Sequence, residues 1–192
     1  MIMATIPAIS PDTSVQQLLS EVMPKFAQEQ LTSNPKAAEL AGSTITMVVE
    51  AGDSVYNYTV TDGKDIHMAE GNNDGAMLKL KVSEDDMKKM IQSGNLDMIL
   101  GIQNDLNKAK LNALSNLRGA FTAEIALDDG EVIKLNAVLN GSEQPHSVFK
   151  MNAKDTSALM RKEASPVNLF MSGAMKIDGD MAFAMATQPL FT

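Results

Sequence analysis

The apolar residues of this chain of 192 residues change their spacing near Ser43, and this change limits the folds that it can adopt. Between residues 15 and 26 they recur every three or four positions, which predicts a helix capped by Thr13 or Ser14 and disturbed at Pro24. From Ser43 onward they alternate with polar residues, which predicts strands joined at Asp-Gly turns. No proline occurs between Pro35 and Pro145, as expected for an uninterrupted sheet. The pattern predicts an α+β fold, with a curved antiparallel sheet of five or more strands and helices on one face.

The strand pattern occurs twice. Residues 44–100 and 120–173 each read as a strand, an Asp-Gly turn, two further strands, a capped helix and a short apolar segment. This order suggests a degenerate internal repeat. The alternative is a single unit with a long insertion between Asp97 and Pro166, including a predicted helix over Ile99–Leu117. Either interpretation gives an N-terminal arm and helix (1–42) followed by one domain (43–192), because no linker-like segment divides the two stretches.

Composition and charge exclude several functions. The net charge of −8 leaves no basic surface for nucleic acid, and it argues against electrostatic docking on anionic lipid. No cysteine is present, which excludes disulfides and thiolate chemistry and fits a reducing compartment. The N-terminal residues do not resemble a secretory signal, and no apolar run is long enough to span a bilayer. We therefore expect a cytoplasmic protein.

The ionisable residues do not form a recognisable catalytic motif. His67 is predicted to point to solvent from a strand, and His146 to lie in a loop beside Pro145. The acidic clusters at Glu84–Asp86, Asp128–Asp129 and Asp178/Asp180 are explained by helix starts and turns. No calcium loop, phosphate-binding glycine loop or nucleophile elbow is present. The sequence predicts a protein that is not an enzyme and that binds neither a metal nor a cofactor.

The segment PVNLFMSGAMKIDGDMAFAM (166–185) is the most distinctive part of the chain. Gly173 and Gly179 bound a short strand, and Asp180 is the expected cap of a following helix. This sequence resembles the C-terminal motif of the sterol carrier protein 2 family. LKLKVSEDDMKKMIQSGNLD (78–97) is similar to that family's central motif. The segment from MPKFAQEQ (23–30) to the first hairpin is similar to the N-terminal part of that family.

The resemblance implies that the chain binds or carries an apolar molecule such as a fatty acyl chain, an isoprenoid, a quinone precursor or a sterol, without catalysis. A variant of this role is a scaffold for a prenylated intermediate, and the missing peroxisomal address at the C-terminus suggests a bacterial member of the family. Transient membrane contact is compatible with such a role, and the oligomeric state is open.

The chain has 15 methionines and only 4% aromatic residues, and flexible methionines suit a tunnel that accepts a ligand of imprecise shape. The alternative is a protein-interaction or scaffold module, whose apolar surface docks a partner protein or a second copy. Ordinary helix faces in a filled core would use the same residues. The predicted ligand-binding residues are Met87, Met90, Ile91, Leu96, Phe170, Met171, Met175, Met181, Phe183 and Met185.

Overall fold

A computed structural model describes residues 8–101 and 105–192. Within these residues, eight strands form one sheet in the order β3-β2-β1-β4-β6-β5-β7-β8. Their bounds are β1 (Thr44–Ala51), β2 (Ser54–Thr61), β3 (Asp65–Glu70), β4 (Leu78–Val82), β5 (Gly119–Ala126), β6 (Val132–Leu139), β7 (His146–Asn152) and β8 (Lys176–Gly179). The α+β class and the count of five or more strands are therefore confirmed.

The helices are short, and most follow a strand. α1 (Val15–Gln17) continues through a π-helical turn (Leu18–Val22) into α2 (Met23–Ser33). The remaining elements are a 3₁₀ turn (Ala37–Leu40), α3 (Glu84–Ser93), α4 (Asp97–Leu100), α5 (Lys108–Asn116), α6 (Ala153–Met160), α7 (Pro166–Met171), α8 (Met181–Ala186) and a last 3₁₀ turn (Gln188–Leu190). The disturbance predicted at Pro24 is found as the π-helical turn just before it, because proline has no N–H to offer the preceding turn.

The prediction of a purely antiparallel sheet is wrong. β1 pairs in parallel with β4, where Val49 lies opposite Leu80, and β5 pairs in parallel with β7, where Ala123 lies opposite Phe149. The other neighbouring strands pair antiparallel. Alternation of apolar and polar residues identifies a strand but not its partner. In both places the chain returns to the far side of an earlier strand, which the pattern does not reveal.

The two faces of the sheet differ in character. In β4, Leu78, Leu80 and Val82 are buried towards the helices, whereas the two intervening lysines are half-exposed. On the open face, ion pairs bridge neighbouring strands: Lys79–Glu50 at 3.4 Å, Lys134–Glu124 at 3.8 Å and Lys150–Asp178 at 2.7 Å. Exposed pairs of this kind stabilise little individually. Their position shows that the apolar core lies only between the sheet and the helices.

Most predicted helix signals are confirmed. The side chains of Ser14, Ser83 and Asp180 cap α1, α3 and α8, and Gly94 closes α3 in the left-handed region with φ of 74°. Part of the arm predicted at the N-terminus, residues 1–7, lies outside the described residues.

The helix predicted over Ile99–Leu117 is wrong, because α4 ends at Leu100 and α5 starts only after Asn107. Asp105 has φ of 54°, which a helix does not allow. The side chain of Asn107 accepts a hydrogen bond from the Lys110 amide at 2.9 Å and so caps α5. This asparagine was the signal that marks the second helix start.

The internal repeat stays a prediction. In each stretch a hairpin (β1–β2 or β5–β6) precedes a strand that is parallel to its first member (β4 or β7), but the first stretch also contains β3 and so has four strands instead of the predicted three. A capped helix comes next, α3 after Ser83 in the first stretch and α6 after Asn152 in the second.

Candidate apolar ligand-binding cavity

An apolar cavity of about 240 Å³ lies between the end of the sheet and the last helices. Strands β5, β7 and β8 form its base, and α6, α7, α8 and the last 3₁₀ turn surround it. The residues that line it are Met98, Phe121, Ala123, Phe149, Met151, Leu159, Pro166, Val167, Phe170, Met171, Met175, Ile177, Ala184, Met185, Thr187, Gln188 and Phe191.

The base of the cavity is aromatic. Phe121 and Phe149 come from the parallel strands β5 and β7, and the last 3₁₀ turn brings Phe191 against both. Their ring centroids lie 5.5 Å apart for Phe121–Phe149, 5.8 Å for Phe121–Phe191 and 6.3 Å for Phe149–Phe191, all edge-to-face. Phe121 and Phe149 are buried, so the cavity is closed at this end, and the edge-to-face pairs stabilise the cluster beyond its buried area.

The opposite end opens between α7 and α8. Met171 is 78% exposed, Met185 is 50% exposed and Phe170 is 40% exposed, although all three also line the cavity. Both helices are held by caps: Ser165 accepts from the amide of Asn168 at 3.1 Å, and Asp180 from that of Phe183 at 2.7 Å. The mouth is therefore a rim of exposed apolar side chains on two short, capped helices.

The lining offers few polar groups. Thr187 and Gln188 are the lining residues with a polar side chain, and the Thr187 hydroxyl already donates to the Ala184 carbonyl at 2.7 Å. No ionisable residue is among the lining residues. An ionised group would lose its hydration in this cavity without gaining a partner, so the cavity suits uncharged apolar matter.

The predicted ligand-binding residues fall into two groups. Phe170, Met171, Met175 and Met185 line the cavity together. The other six lie elsewhere. Met87, Met90, Ile91 and Leu96 are at most 2% exposed in the core beneath α3 and α4, Met181 is 43% exposed on α8, and Phe183 is buried.

Phe183 lies outside the cavity because its ring packs over Gly119 at the start of β5. A Cβ atom at Gly119 would lie 2.6 Å from Cε2 of Phe183. Only a residue without a side chain permits this contact, which anchors α8 to the sheet. The lining residues that sequence reasoning missed include Phe121, Phe149 and Phe191. The first two lie on the buried side of their strands, so strand periodicity was the available signal.

A smaller apolar space of about 40 Å³ lies under the N-terminal half of the sheet. Met23, Ile45, Tyr58 and Leu114 are among its lining residues. The Tyr58 hydroxyl donates to the Leu19 carbonyl at 2.5 Å, and burial raises the pKa of this hydroxyl. A space of this size holds about one water molecule.

Two carboxylates, the buried Asp97 and the half-buried Asp105, tie the halves of the molecule together. Asp97 accepts from the Ser157 hydroxyl at 2.5 Å and from Nε of Arg161 at 3.2 Å, so α4 is fixed to α6 beside the cavity. Asp105 pairs with Lys162 and, at 3.4 Å, with Lys36. Burial opposes ionisation of Asp105, but the hydrogen bond and charge of Lys162 outweigh it and lower the pKa of this carboxyl.

Lys110 is buried beside Asp105. Burial and the Lys162 ammonium lower the pKa of Lys110 to about 8 against the attraction of Asp105, and Lys36 adds to the lowering. Lys110 and Asp105 lie between the two hairpin units in the chain, whereas Lys36 and Lys162 come from the two ends. This charged junction is therefore a link between the halves.

The histidines take no part in the cavity. His67 is exposed on β3, as predicted. The prediction that His146 lies in a loop is wrong, because it opens β7 and its Nε2 lies 3.0 Å from the Thr122 hydroxyl. Within residues 8–101 and 105–192, no three histidine, aspartate or glutamate side chains converge to hold a metal ion. None of the described helices is long and apolar enough to cross a bilayer.

Comparison with known proteins confirms the resemblance for the part of the chain that encloses the cavity. Residues 102–192 match the model of the SCP-2 sterol transfer family. This range contains β5 to β8 and α6 to α8, and thus all lining residues except Met98. No match to an individually curated protein was found.

Solved structures similar to this chain include three sterol carrier proteins. The apo form of sterol carrier protein 2 from Yarrowia lipolytica is 14% identical, with 41% of this chain and 76% of that chain covered and a TM-score of 0.35. Sterol carrier protein 2 like 2 from Aedes aegypti is also 14% identical, with 47% of this chain and 92% of that chain covered and a TM-score of 0.33. Sterol carrier protein domain 2 of Helicoverpa armigera is 20% identical, with 56% of this chain and 83% of that chain covered and a TM-score of 0.35.

Proposed function

We propose that this protein is a non-catalytic carrier that binds the apolar part of a lipid-like molecule in the cavity between β5, β7, β8 and the last helices. The observation that carries this proposal is an apolar space of about 240 Å³ with an aromatic closed end and an open rim. The match of residues 102–192 to the SCP-2 sterol transfer family supports it. The prediction of a methionine-lined tunnel becomes, in this proposal, a one-ended cavity with methionines at its mouth.

Binding would be driven by the removal of apolar surface from water, about 0.8 kcal/mol for each buried methylene. The cavity offers no ionisable side chain that could act as an acid, base or nucleophile, which fits a carrier better than an enzyme. We place this carrier in the cytoplasm, where the exposed apolar rim would meet membranes transiently during loading. The net charge of −8 suggests that such contact does not depend on anionic lipid.

Native mass spectrometry of freshly purified protein tests the proposal, followed by titration with a fluorescent fatty acid. We expect either a co-purified apolar molecule or saturable binding of the fatty acid. The proposal would be overturned if the purified protein carries no ligand and also does not bind the fluorescent fatty acid.

A pair of matched variants locates the binding. Met171→Glu places a charge on the exposed rim and should weaken binding of the probe several-fold, because the apolar chain would pass a hydrated carboxylate. Val132→Glu makes the same kind of change at a 46% exposed residue of β6, outside the cavity lining, and should leave binding unchanged.

A second candidate function is a module that docks a second copy of this chain through the α7–α8 rim. Five of the six large apolar side chains that are exposed in the described residues belong to α7 and α8: Val167, Phe170, Met171, Met181 and Met185. Such a patch often marks an interface. Analytical ultracentrifugation over a concentration series separates the candidates, because dimerisation that Met171→Glu abolishes without any ligand binding would favour the module.

A further inference from the structure

We infer that the cavity binds the uncharged terminal part of its ligand, about ten carbon atoms, and leaves the polar head of the ligand outside the mouth. This inference rests on the proposed carrier function and narrows it to a ligand class. Three features of the cavity carry it: its volume, the distribution of its polar groups and the exposed apolar rim formed by α7 and α8.

The volume sets the length. An engineered apolar cavity of about 150 Å³ binds benzene, which has six carbon atoms. In the same proportion, a cavity of about 240 Å³ holds about ten carbon atoms. A chain of sixteen or eighteen carbons would exceed it and would extend past the rim. Affinity should therefore rise with chain length only until the cavity is full.

The polarity sets the orientation. Residues 164–175 and 181–192, which form most of the walls and the rim, contain no Asp, Glu, Lys, Arg or His. The aromatic cluster of Phe121, Phe149 and Phe191 closes the inner end, whereas Met171 and Met185 at the outer end are half or more exposed. The polar side chains of the lining are Thr187, whose hydroxyl already donates to the Ala184 carbonyl, and Gln188, so a charged head at the inner end would lose its hydration without gaining a charged partner. The methyl end therefore enters first.

Two small residues leave the space that the chain fills. Ala123 of β5 and Ala184 of α8 both line the cavity and are almost fully buried. Leucine at position 184 would add three carbon atoms to the wall. Because α8 is the outer wall rather than a strand of the sheet, Ala184→Leu tests the space without replacing a strand residue.

The experiment is a calorimetric titration with the linear primary alcohols from 1-hexanol to 1-tetradecanol. In the unmodified protein we expect affinity to rise about fourfold for each added methylene up to about ten carbons, and to level off beyond that length. In Ala184→Leu the levelling-off should move to a chain about three carbons shorter. Ala69→Leu adds the same atoms at an exposed position of β3 and should leave the limit unchanged. Decanoate should bind comparably to 1-decanol, because both heads remain in water.

The outcomes separate this inference from the proposed function. If none of the alcohols binds, the carrier function itself fails. An undiminished rise to fourteen carbons would leave the carrier function standing and overturn the length limit. A limit that stays at the same length in folded Ala184→Leu would place the chain outside this cavity. The series on the unmodified protein decides the length limit even if Ala184→Leu does not fold.

Discussion

The two halves of the sheet carry similar strands but pack them differently. Around the parallel pair β1–β4, Val49 and Leu80 are fully buried, and the N-terminal helices α1 and α2 with the π-helical turn between them fill the space in this half. Around the parallel pair β5–β7, Ala123 and Phe149 face a cavity of about 240 Å³ instead. In the N-terminal half, the space that Met23, Ile45, Tyr58 and Leu114 help to line measures about 40 Å³.

This difference indicates that the helices that cover the sheet, and not the strands or the methionine content, determine whether the space above the sheet is filled or forms a cavity. Met87 and Met90 of α3 are fully buried and are not among the residues that line the cavity of about 240 Å³, whereas Met171 and Met185 line it and are exposed. α2 has 11 residues and buries Met23, Phe26, Ala27 and Leu31. α7 and α8 have six residues each and leave a gap between them.

The largest expected effect separates core methionines from mouth methionines. Met90→Ala removes a fully buried side chain and should lower the free energy of unfolding by about 2–5 kcal/mol. Met171→Ala removes a side chain that is 78% exposed and should change it by less than about 0.5 kcal/mol. Urea denaturation measures both, and binding of the fluorescent fatty acid should be weaker only in Met171→Ala. A reversed order of stability would break the comparison.

The next effect concerns the charged junction between the halves. The pKa of Lys110 is lowered to about 8, so between pH 8 and 10.5 the unfolded chain binds more protons than the folded protein. Stability contributed by this group therefore rises with pH across that window, by up to about 3 kcal/mol.

Lys110→Met should abolish this rise. Denaturation of both proteins at pH 7, 8, 9 and 10 gives the difference, in which the titrations of other groups cancel. A difference between the two proteins that does not change with pH would show that Lys110 keeps its ordinary pKa in the folded state.

The smallest effect concerns the outer wall of the cavity. Asp180→Ala removes the cap that accepts from the amide of Phe183 at 2.7 Å, which should cost about 1 kcal/mol of stability. Because α8 is part of the rim, stopped-flow measurements should show faster release of the fluorescent fatty acid. Asp155→Ala, in the first turn of α6 away from the lining, is the control and should release it at the normal rate.

Local signals made much of this fold predictable from sequence. Alternation found the strands, and Ser83, Gly94 and Asp180 marked helix ends where the structure has them. The pairing of β1 with β4 was not predictable in this way, because alternation is the same for parallel and antiparallel neighbours. Asn107 could have separated α4 from α5, but an apolar pattern that continues across a break conceals it.

The cavity was predictable only in part. The sequence of residues 166–185 predicted Phe170, Met171, Met175 and Met185 as ligand-binding residues, and these four line the cavity together. Met87 and Met90 were predicted from the same kind of apolar pattern, but they are fully buried and do not line this cavity. Packing density depends on which distant helix covers a face, and a linear pattern does not contain that information.

Methionine methyl NMR tests the central claim most directly, because methionines occur in both halves. Protein labelled at the ε-methyl carbon, with resonances assigned from single Met→Leu variants, is titrated with 1-decanol. The cavity predicts that the methyl resonances of Met151, Met171 and Met185 move with a common dissociation constant, while those of Met87 and Met90 stay fixed. Movement of Met87 and Met90 instead, or no movement of any methyl group at saturating 1-decanol, would contradict a binding cavity confined to the C-terminal half.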